Sequence, residues 1–184
     1  MSLTQRLVFA YLQAVTQKPI ETKLKTTTIT TITANVISQT LIEGTPLKDF
    51  DFKRLRKVLL SCLVLCVVRH YQFKLLNRLI PPAKAGPFQI LQQLLLDQLI
   101  FAPINQAFFF ILMSLQSNLQ ADIPGELQQK LLPSLKMYWR VWPVAKLFSL
   151  NFVPVPLRPL FGDLIGFFWS IFLSGMTKSR LSRR

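Results

Sequence analysis

The sequence has few of the residues from which catalytic and metal sites are built. It contains one histidine, His70, two cysteines and six glycines in 184 residues. Cys62 and Cys66 lie four residues apart and do not make a disulfide framework. No nucleophile beside a base, phosphate-binding glycine loop or metal-ligand cluster is recognisable in the sequence. We therefore expect no enzyme, no catalytic residue, no cofactor and no metal site.

Acidic residues are also scarce, with 8 Asp and Glu against 22 Lys and Arg and a net charge of +14. Such an excess favours an anionic partner, either nucleic acid or lipid headgroups. The basic residues flank apolar runs, form no single stripe and belong to no nucleic-acid-binding motif. We therefore expect anionic membrane lipid, with cardiolipin as one candidate, and no nucleic acid as partner.

Apolar residues make up 51% of the chain, and no charged residue occurs from 98 to 121, which is enough to span a bilayer. The pattern predicts an all-α, multi-span helical membrane protein in a single integral membrane domain, residues 1–184. About four transmembrane helices follow an N-terminal amphipathic helix at 1–25, and a basic tail at 176–184 ends the chain. The predicted membrane helices are 26–42, 55–80, 88–121 and 139–175, the last of them broken near 151–159.

Two segments near the N-terminus each allow two interpretations. Residues 1–20 contain no acidic residue and have apolar residues at helical spacing, as in a mitochondrial presequence or an interfacial helix retained in the fold. Residues 26–42 are uncharged and rich in threonine, so a β-strand is the alternative to a helix. We favour the retained helix for the first segment and a membrane helix for the second.

All three tryptophans lie in the last predicted membrane helix, at 139, 142 and 169. Tryptophans near the ends of apolar segments are typical of membrane interfaces, and we expect Trp139, Trp142, Trp169 and Arg158 to act as interface anchors. The same stretch contains prolines that interrupt a smooth helix, so one helix should end near residue 151 and another begin near 159. These prolines are Pro143, Pro154, Pro156 and Pro159.

Small residues at every fourth position form two stripes, each of which would allow a neighbouring helix to approach closely. One stripe lies in the last helix and the other in the first membrane helix. Their residues are Gly162, Gly166, Ser170 and Ser174, and Thr30, Ala34 and Ser38.

The tryptophan region resembles the Mpv-seventeen and 22-kilodalton peroxisomal membrane protein family. The segment DQLIFAP at 97–103 is similar to a second motif of that family, and the resemblance extends over nearly the whole chain. Lys146 stands where the family usually has glutamine. The positions that match the tryptophan motif without a gap are Trp139, Trp142, Pro143, Val153, Pro154, Arg158, Trp169, Leu173 and Ser174.

The resemblance implies a protein of the mitochondrial inner membrane, which we favour, or of the peroxisomal membrane. It also implies a pore, or a modulator of a pore, for small solutes or ions. The alternative function is a non-catalytic accessory subunit of a larger inner-membrane complex, such as a respiratory or ATP synthase assembly. Either a homo-oligomer or a larger membrane complex is compatible with the small-residue stripes.

An acidic residue at the edge of a membrane span is costly unless it is paired or hydrated, which makes Asp97 a candidate functional residue. Gln98 and Asn105 follow it in the same span, and Gln39 lies in the first membrane helix. We expect these four residues to line a polar path, with structural pairing of Asp97 as the alternative. We also expect Lys146 to approach Asp97, because opposite charges near the membrane interior are more stable together than apart.

Overall fold

The computed structural model describes residues 3–81, 86–116, 123–153 and 158–178, and the regular structure in these ranges is helical. This confirms the all-α fold class. Two short π-helical turns follow α2 and α4, at Ser38–Ile42 and Asp97–Phe101, and a 3₁₀ turn spans Leu47–Asp49. The α-helices are α1 Leu3–Gln17, α2 Pro19–Ile37, α3 Phe52–Leu79, α4 Pro87–Leu96, α5 Ala102–Leu115, α6 Ile123–Phe152 and α7 Arg158–Lys178.

The chain forms two compact units. Residues 1–55 together with 149–184 make the first, and residues 56–148 make the second. In the first unit, α2 packs against both α1 and α7. In the second unit, hydrogen bonds join α3 to α5 and α5 to α6.

Burial in the described residues is inverted relative to a water-soluble protein. The largest fully buried side chains are all polar, whereas many large apolar side chains on the helices are exposed. Exposed apolar surface on this scale is unfavourable in water and favourable in lipid. The fold is therefore that of a protein that hides its polar groups from a hydrocarbon surrounding. The fully buried polar residues are Gln39, Asn35, Ser38, Ser61, Ser114 and Ser134.

Two helical stretches of the described chain are long and apolar enough to cross a bilayer, Phe52–Leu79 and Phe88–Leu115. The second is continuous through the π turn, and its predicted extension to 121 runs into residues outside the described ranges. A shorter apolar stretch covers Phe161–Ile171. Length and hydropathy alone do not identify spans in the other two predicted membrane helices, because α2 is rich in threonine and α6 carries several basic residues.

The N-terminal segment is divided earlier than predicted. Helix α1 ends at Gln17, and α2 begins at Pro19. The N–H groups in the first turn of a helix have no acceptor within the helix, so the missing N–H of proline costs no hydrogen bond there. Tyr11 on α1 donates a hydrogen bond to Asp163 on α7. Burial, followed by this hydrogen bond, raises the pKa of Tyr11 above its usual range. This contact ties the amphipathic helix into the first unit.

The threonine-rich segment is a helix, so the strand alternative for 26–42 is wrong. Its hydroxyl groups donate to carbonyl oxygens one turn earlier, as Thr26 does to Thr22 at 3.0 Å and Thr30 to Thr26 at 2.9 Å. Internal bonding of this kind satisfies the hydroxyls without a partner from outside the helix. A threonine-rich helix can therefore be buried or face lipid without an unpaired donor.

Helix α6 contains Pro133 and Pro143, which corrects the expectation that Pro143 interrupts the helix. A proline removes one backbone donor and bends a helix, but in membrane helices the freed carbonyl can be satisfied by neighbouring groups. Helix α6 therefore starts at Ile123, well before the predicted 139, and ends at Phe152. Helix α7 begins at Arg158, and the intervening residues 154–157 are not described.

A buried ion pair closes the connection between α2 and α3. The Arg54 guanidinium donates to both carboxylate oxygens of Glu43, at 2.9 and 2.8 Å, and the side chains are 8% and 11% exposed. The Asp51 carboxylate accepts from the Arg54 backbone N–H at 2.8 Å and so caps the start of α3. Charge-assisted hydrogen bonds therefore stabilise the connection between α2 and α3 in the first unit.

We expect Arg54→Ala to destabilise the first unit by about 3–5 kcal/mol, because a buried ion pair is lost and a carboxylate stays behind. Thermal unfolding in mild detergent, followed by circular dichroism, should show a lower Tm. Lys53→Ala is the matched control, since Lys53 is the exposed neighbour on the same helix. Its effect should stay below about 0.5 kcal/mol. Equal and small shifts for both variants would contradict a stabilising role for the pair.

Candidate functional site

A proline inside a membrane span determines the local backbone of the second unit. The N–H of Ala102 donates to the carbonyl of Asp97, five residues back, instead of to Gln98. In this wider register the next donor would come from residue 103, which is a proline and has no N–H. The carbonyl of Gln98 therefore has no donor within its own helix.

Trp139 on α6 supplies the missing donor. Its indole N–H donates to the Gln98 carbonyl oxygen at 2.9 Å. An unsatisfied backbone carbonyl in a hydrocarbon surrounding costs several kcal/mol, so this bond removes a penalty that Pro103 creates. The DQLIFAP segment and the tryptophan motif, which are distant in sequence, meet at this bond.

Lys146 and Asp97 form an ion pair, as the sequence predicted. The Lys146 Nζ lies 2.9 Å from Asp97 Oδ2, and the side chains are 35% and 23% exposed. The Gln98 amide donates to the same carboxylate oxygen at 3.0 Å. Asp97 is thus held by one charged and one neutral donor, and both side chains of the ion pair are partly exposed.

The polar interior of the second unit extends along α5. Asn105 donates to Gln72 on α3 at 2.9 Å, and Ser134 on α6 donates to Gln106 at 3.0 Å. At the other end of α5, Gln116 donates to Ser61 at 2.9 Å. We call ten residues the polar interior: Ser61, Gln72, Asp97, Gln98, Asn105, Gln106, Gln116, Ser134, Trp139 and Lys146.

Sequence reasoning missed several members of the polar interior. Ser61 and Ser134 are small polar residues within helices, a common pattern that does not indicate burial. Gln106 follows Asn105 directly, and the adjacent pair of amides in an apolar span was the available signal. Gln72 is an amide in an otherwise largely apolar helix, and this was a second signal.

Two acceptor oxygens of the polar interior have no hydrogen-bond partner among the described residues. They are Oε1 of Gln98 and Oδ1 of Asn105, on side chains that are only 5% and 6% exposed. The Gln98 amide orientation is determined by its N–H donation to the Asp97 carboxylate. Buried acceptors normally have a donor from protein or water. These two oxygens can therefore accept hydrogen bonds from water or from a polar solute.

Gln39 has a different environment from the other predicted lining residues. Its amide donates to Asn35 at 2.7 Å and to the Asp51 carbonyl at 3.2 Å, and its oxygen accepts from the Asp51 N–H at 2.8 Å. It belongs to the first unit, whereas Asp97, Gln98 and Asn105 belong to the second. Its hydrogen bonds hold the connection after α2 and leave little capacity for a solute.

The predicted interface anchors occupy different environments. Trp139 is exposed and holds the Gln98 carbonyl, whereas Trp169 is buried in the first unit. Trp142 stacks on Tyr138 with ring centroids 5.4 Å apart. The side chain of Arg158 lies outside the described residues. All three tryptophans thus have environments or contacts inside the protein that the interface pattern did not predict.

The two small-residue stripes also differ in environment. Ala34 and Ser38 are fully buried in the first unit, where α2 packs against α7. Gly162 and Gly166 face open space, since a Cβ on either would have no described heavy atom within 4 Å. The Ser170 hydroxyl donates to the Gly166 carbonyl at 2.8 Å, and the side chain of Ser174 is outside the described residues. The glycines therefore provide no close approach between the described helices.

The functional groups of the polar interior determine which interactions it can make. Its side chains are amides, hydroxyls and one ion pair. No group of three or more His, Cys, Asp or Glu side chains that could hold a metal occurs within the described part of the chain. The chemistry available is hydrogen bonding and electrostatics.

Comparison with known proteins identifies relatives along nearly the whole chain. Residues 112–174 match the sequence model of the Mpv17 / PMP22 family. PXMP2/4 family protein 3 of Dictyostelium discoideum is 37% identical over 182 residues, which cover 98% of this chain and 96% of that protein. Peroxisomal membrane protein 2 of Bos taurus is 30% identical over 183 residues, which cover 96% and 92%.

A more distant relative is Protein SYM1 of Saccharomyces cerevisiae, which is 27% identical over 132 residues, or 69% of this chain and 67% of that protein. No solved structure matches the chain significantly. Of these relatives, the Bos taurus protein is described as a peroxisomal membrane protein.

We expect Trp139→Phe to destabilise the protein by about 1–3 kcal/mol, because the Gln98 carbonyl loses its donor. Thermal unfolding in mild detergent, followed by circular dichroism, measures the change. Trp142→Phe is the matched control, since the buried Trp142 indole N–H has no hydrogen-bond partner among the described residues. It should have the smaller effect. Equal losses from both variants would contradict a special role for the Trp139 hydrogen bond.

The double variant Trp139→Phe with Pro103→Ala separates the hydrogen bond from packing. Alanine at 103 restores a backbone N–H near the Gln98 carbonyl, so Trp139→Phe should cost less in the Pro103→Ala background than in the wild type. Additive effects would indicate that Trp139 acts through its ring alone.

Proposed function

This chain belongs to the Mpv17 / PMP22 family of membrane proteins, and from that premise we propose that it forms a pore for small solutes and ions. The observation that carries the proposal is the polar interior of the second unit, with two buried acceptor oxygens that have no partner among the described residues. We further propose that the protein acts without catalysis, as a passive path.

Two physical arguments support a path along α4 and α5. The first is that buried polar groups in a membrane protein are retained chiefly where they face a cavity or another polar group. The second is the π turn at Asp97–Phe101, because irregular backbone at membrane depth is tolerated where it lines a cavity or is buried in protein. Gln98 combines both features, whereas Asp97 belongs to the turn and Asn105 is a buried polar group one turn beyond it.

The proposed compartment follows from the relatives that match over nearly the full length. One of them is described as a peroxisomal membrane protein, and the more distant SYM1 match covers a smaller share of the chain. This supports the peroxisomal membrane as one of the two compartments expected from the sequence, beside the mitochondrial inner membrane. Imaging of a fluorescent fusion against markers of both organelles distinguishes the two.

Anionic lipids are the proposed surface partner. Exposed lysines and arginines occur near the starts of α2 and α3, where headgroups are within reach of a helix end. Lys18, Lys25, Lys53 and Arg56 are examples. Cardiolipin is one candidate, and binding should weaken as ionic strength rises.

A second candidate function is that of an accessory subunit in a larger membrane complex. The open face around Gly162 and Gly166 favours it, because glycines on an apolar helix allow close approach by a helix of another chain. In this case the polar interior would stabilise the fold and would not carry solute.

We expect Asp97→Ala to change the conductance or ion selectivity of purified protein in planar bilayers, because it removes a charge from the proposed lining. Asp49→Ala is the matched control, since Asp49 is an exposed carboxylate in the loop before α3. It should conduct like the wild type. If both variants conduct like the wild type, Asp97 does not line the path.

The native mass of tagged protein extracted in a mild detergent distinguishes the two candidate functions. A single chain or small homo-oligomer, free of other subunits, is the result expected for a pore. Stoichiometric co-migration with a respiratory or ATP-synthesising complex would instead support the accessory subunit.

A further inference from the structure

The charge balance at Asp97 depends on Lys146. The Lys146 Nζ lies 2.9 Å from Asp97 Oδ2, and both side chains are partly exposed. The other donor to this carboxylate oxygen is the neutral Gln98 amide at 3.0 Å. The negative charge at this point of the polar interior is therefore compensated, at contact distance, by the lysine.

Arg69 is a second basic residue in the neighbourhood, but its hydrogen bond goes to Tyr138. Tyr138 lies close to both Arg69 and Asp97. The Arg69 side chain is exposed, and the basic group that the structure places at contact distance from Asp97 is that of Lys146. Arg69 can adjust the local potential, whereas Lys146 neutralises Asp97 directly.

The groups with unused hydrogen-bonding capacity beside this pair are acceptors. Gln98 Oε1 and Asn105 Oδ1 are buried and have no partner in the described part of the chain. Carbonyl-type oxygens attract cations and hydrogen-bond donors and repel anions. Without Lys146, the Asp97 carboxylate and these oxygens would form a uniformly electron-rich site.

We propose that Lys146 determines the charge preference of the path, as a specificity-determining residue of the proposed pore. With Lys146 in place, the Asp97 charge is cancelled, and small neutral solutes and ions of either sign pass. Without it, the carboxylate makes the path prefer cations, as acidic residues do in cation channels. This inference rests on the pore function proposed above.

The test is the ratio of potassium to chloride permeability, obtained from reversal potentials of reconstituted protein under a potassium chloride gradient at pH 8. Lys146→Gln should raise the ratio about fivefold, the effect of one uncompensated charge at contact distance in a water-filled path. Glutamine can still donate to Asp97, and the family usually has it at this position. Asp97→Asn should lower the ratio by a similar factor, because the lysine is then uncompensated.

The double variant with both substitutions is neutral again, and its ratio should return to the wild-type value. A purely structural role for Lys146 would lower stability or total conductance without shifting the two single variants in opposite directions. Lys136→Gln is the matched control, since it removes the same charge from an exposed position of the same helix. Its ratio should stay within about twofold of the wild type.

Each outcome bears on a different claim. Unchanged ratios in Lys146→Gln and Asp97→Asn, with conductance retained, would overturn the role of Lys146 and leave the pore intact. Absence of conductance from folded wild-type protein would overturn the proposed pore and this inference with it. Opposite shifts that cancel in the double variant support both.

Discussion

The second unit depends on the backbone donor that is missing at Pro103. Because the wider turn at Asp97–Phe101 uses the Ala102 N–H, the Gln98 carbonyl must find a donor outside its helix, and the Trp139 indole provides it. The Ser134–Gln106 bond then requires α6 to run antiparallel to α5. A local backbone defect thus determines how two helices align. The same alignment brings Lys146, two turns beyond Trp139, to Asp97.

The two units use buried polar groups in different ways. In the first unit, Gln39 satisfies both ends of its amide within the connection after α2, and Arg54 pairs with Glu43. Such a network stabilises one loop conformation and leaves the Gln39 amide little capacity for a solute. In the second unit, Gln98 and Asn105 each keep an unused acceptor among the described residues. This difference in hydrogen-bond satisfaction, more than polarity itself, separates a structural network from a candidate path.

The sequence predicted features that depend on charge and on hydrophobic length. The Asp97–Lys146 pair followed from the cost of isolated charges in a membrane, and the helical class followed from uncharged runs. It did not predict that α6 continues through Pro143, because neighbouring groups decide whether a proline ends a helix. It also did not predict the role of Trp139, since an indole ring has the same interface preference whether or not its N–H has a partner inside the protein. The role of Trp139 depends on a partner distant in sequence, the Gln98 carbonyl.

Positions 97 and 146 cannot be interpreted separately. A lysine alone at the centre of a membrane helix costs about 2.5–3.5 kcal/mol, and an aspartate alone costs a similar amount. In contact they offset each other, so Asp97 lowers the cost of a lysine at position 146 in a membrane protein. With a neutral residue at 146, the charge of the Asp97 carboxylate would have to be compensated by water or by a passing cation. In the proposed pore, the residue at 146 therefore determines whether the Asp97 charge is neutralised inside the protein or is available to a solute.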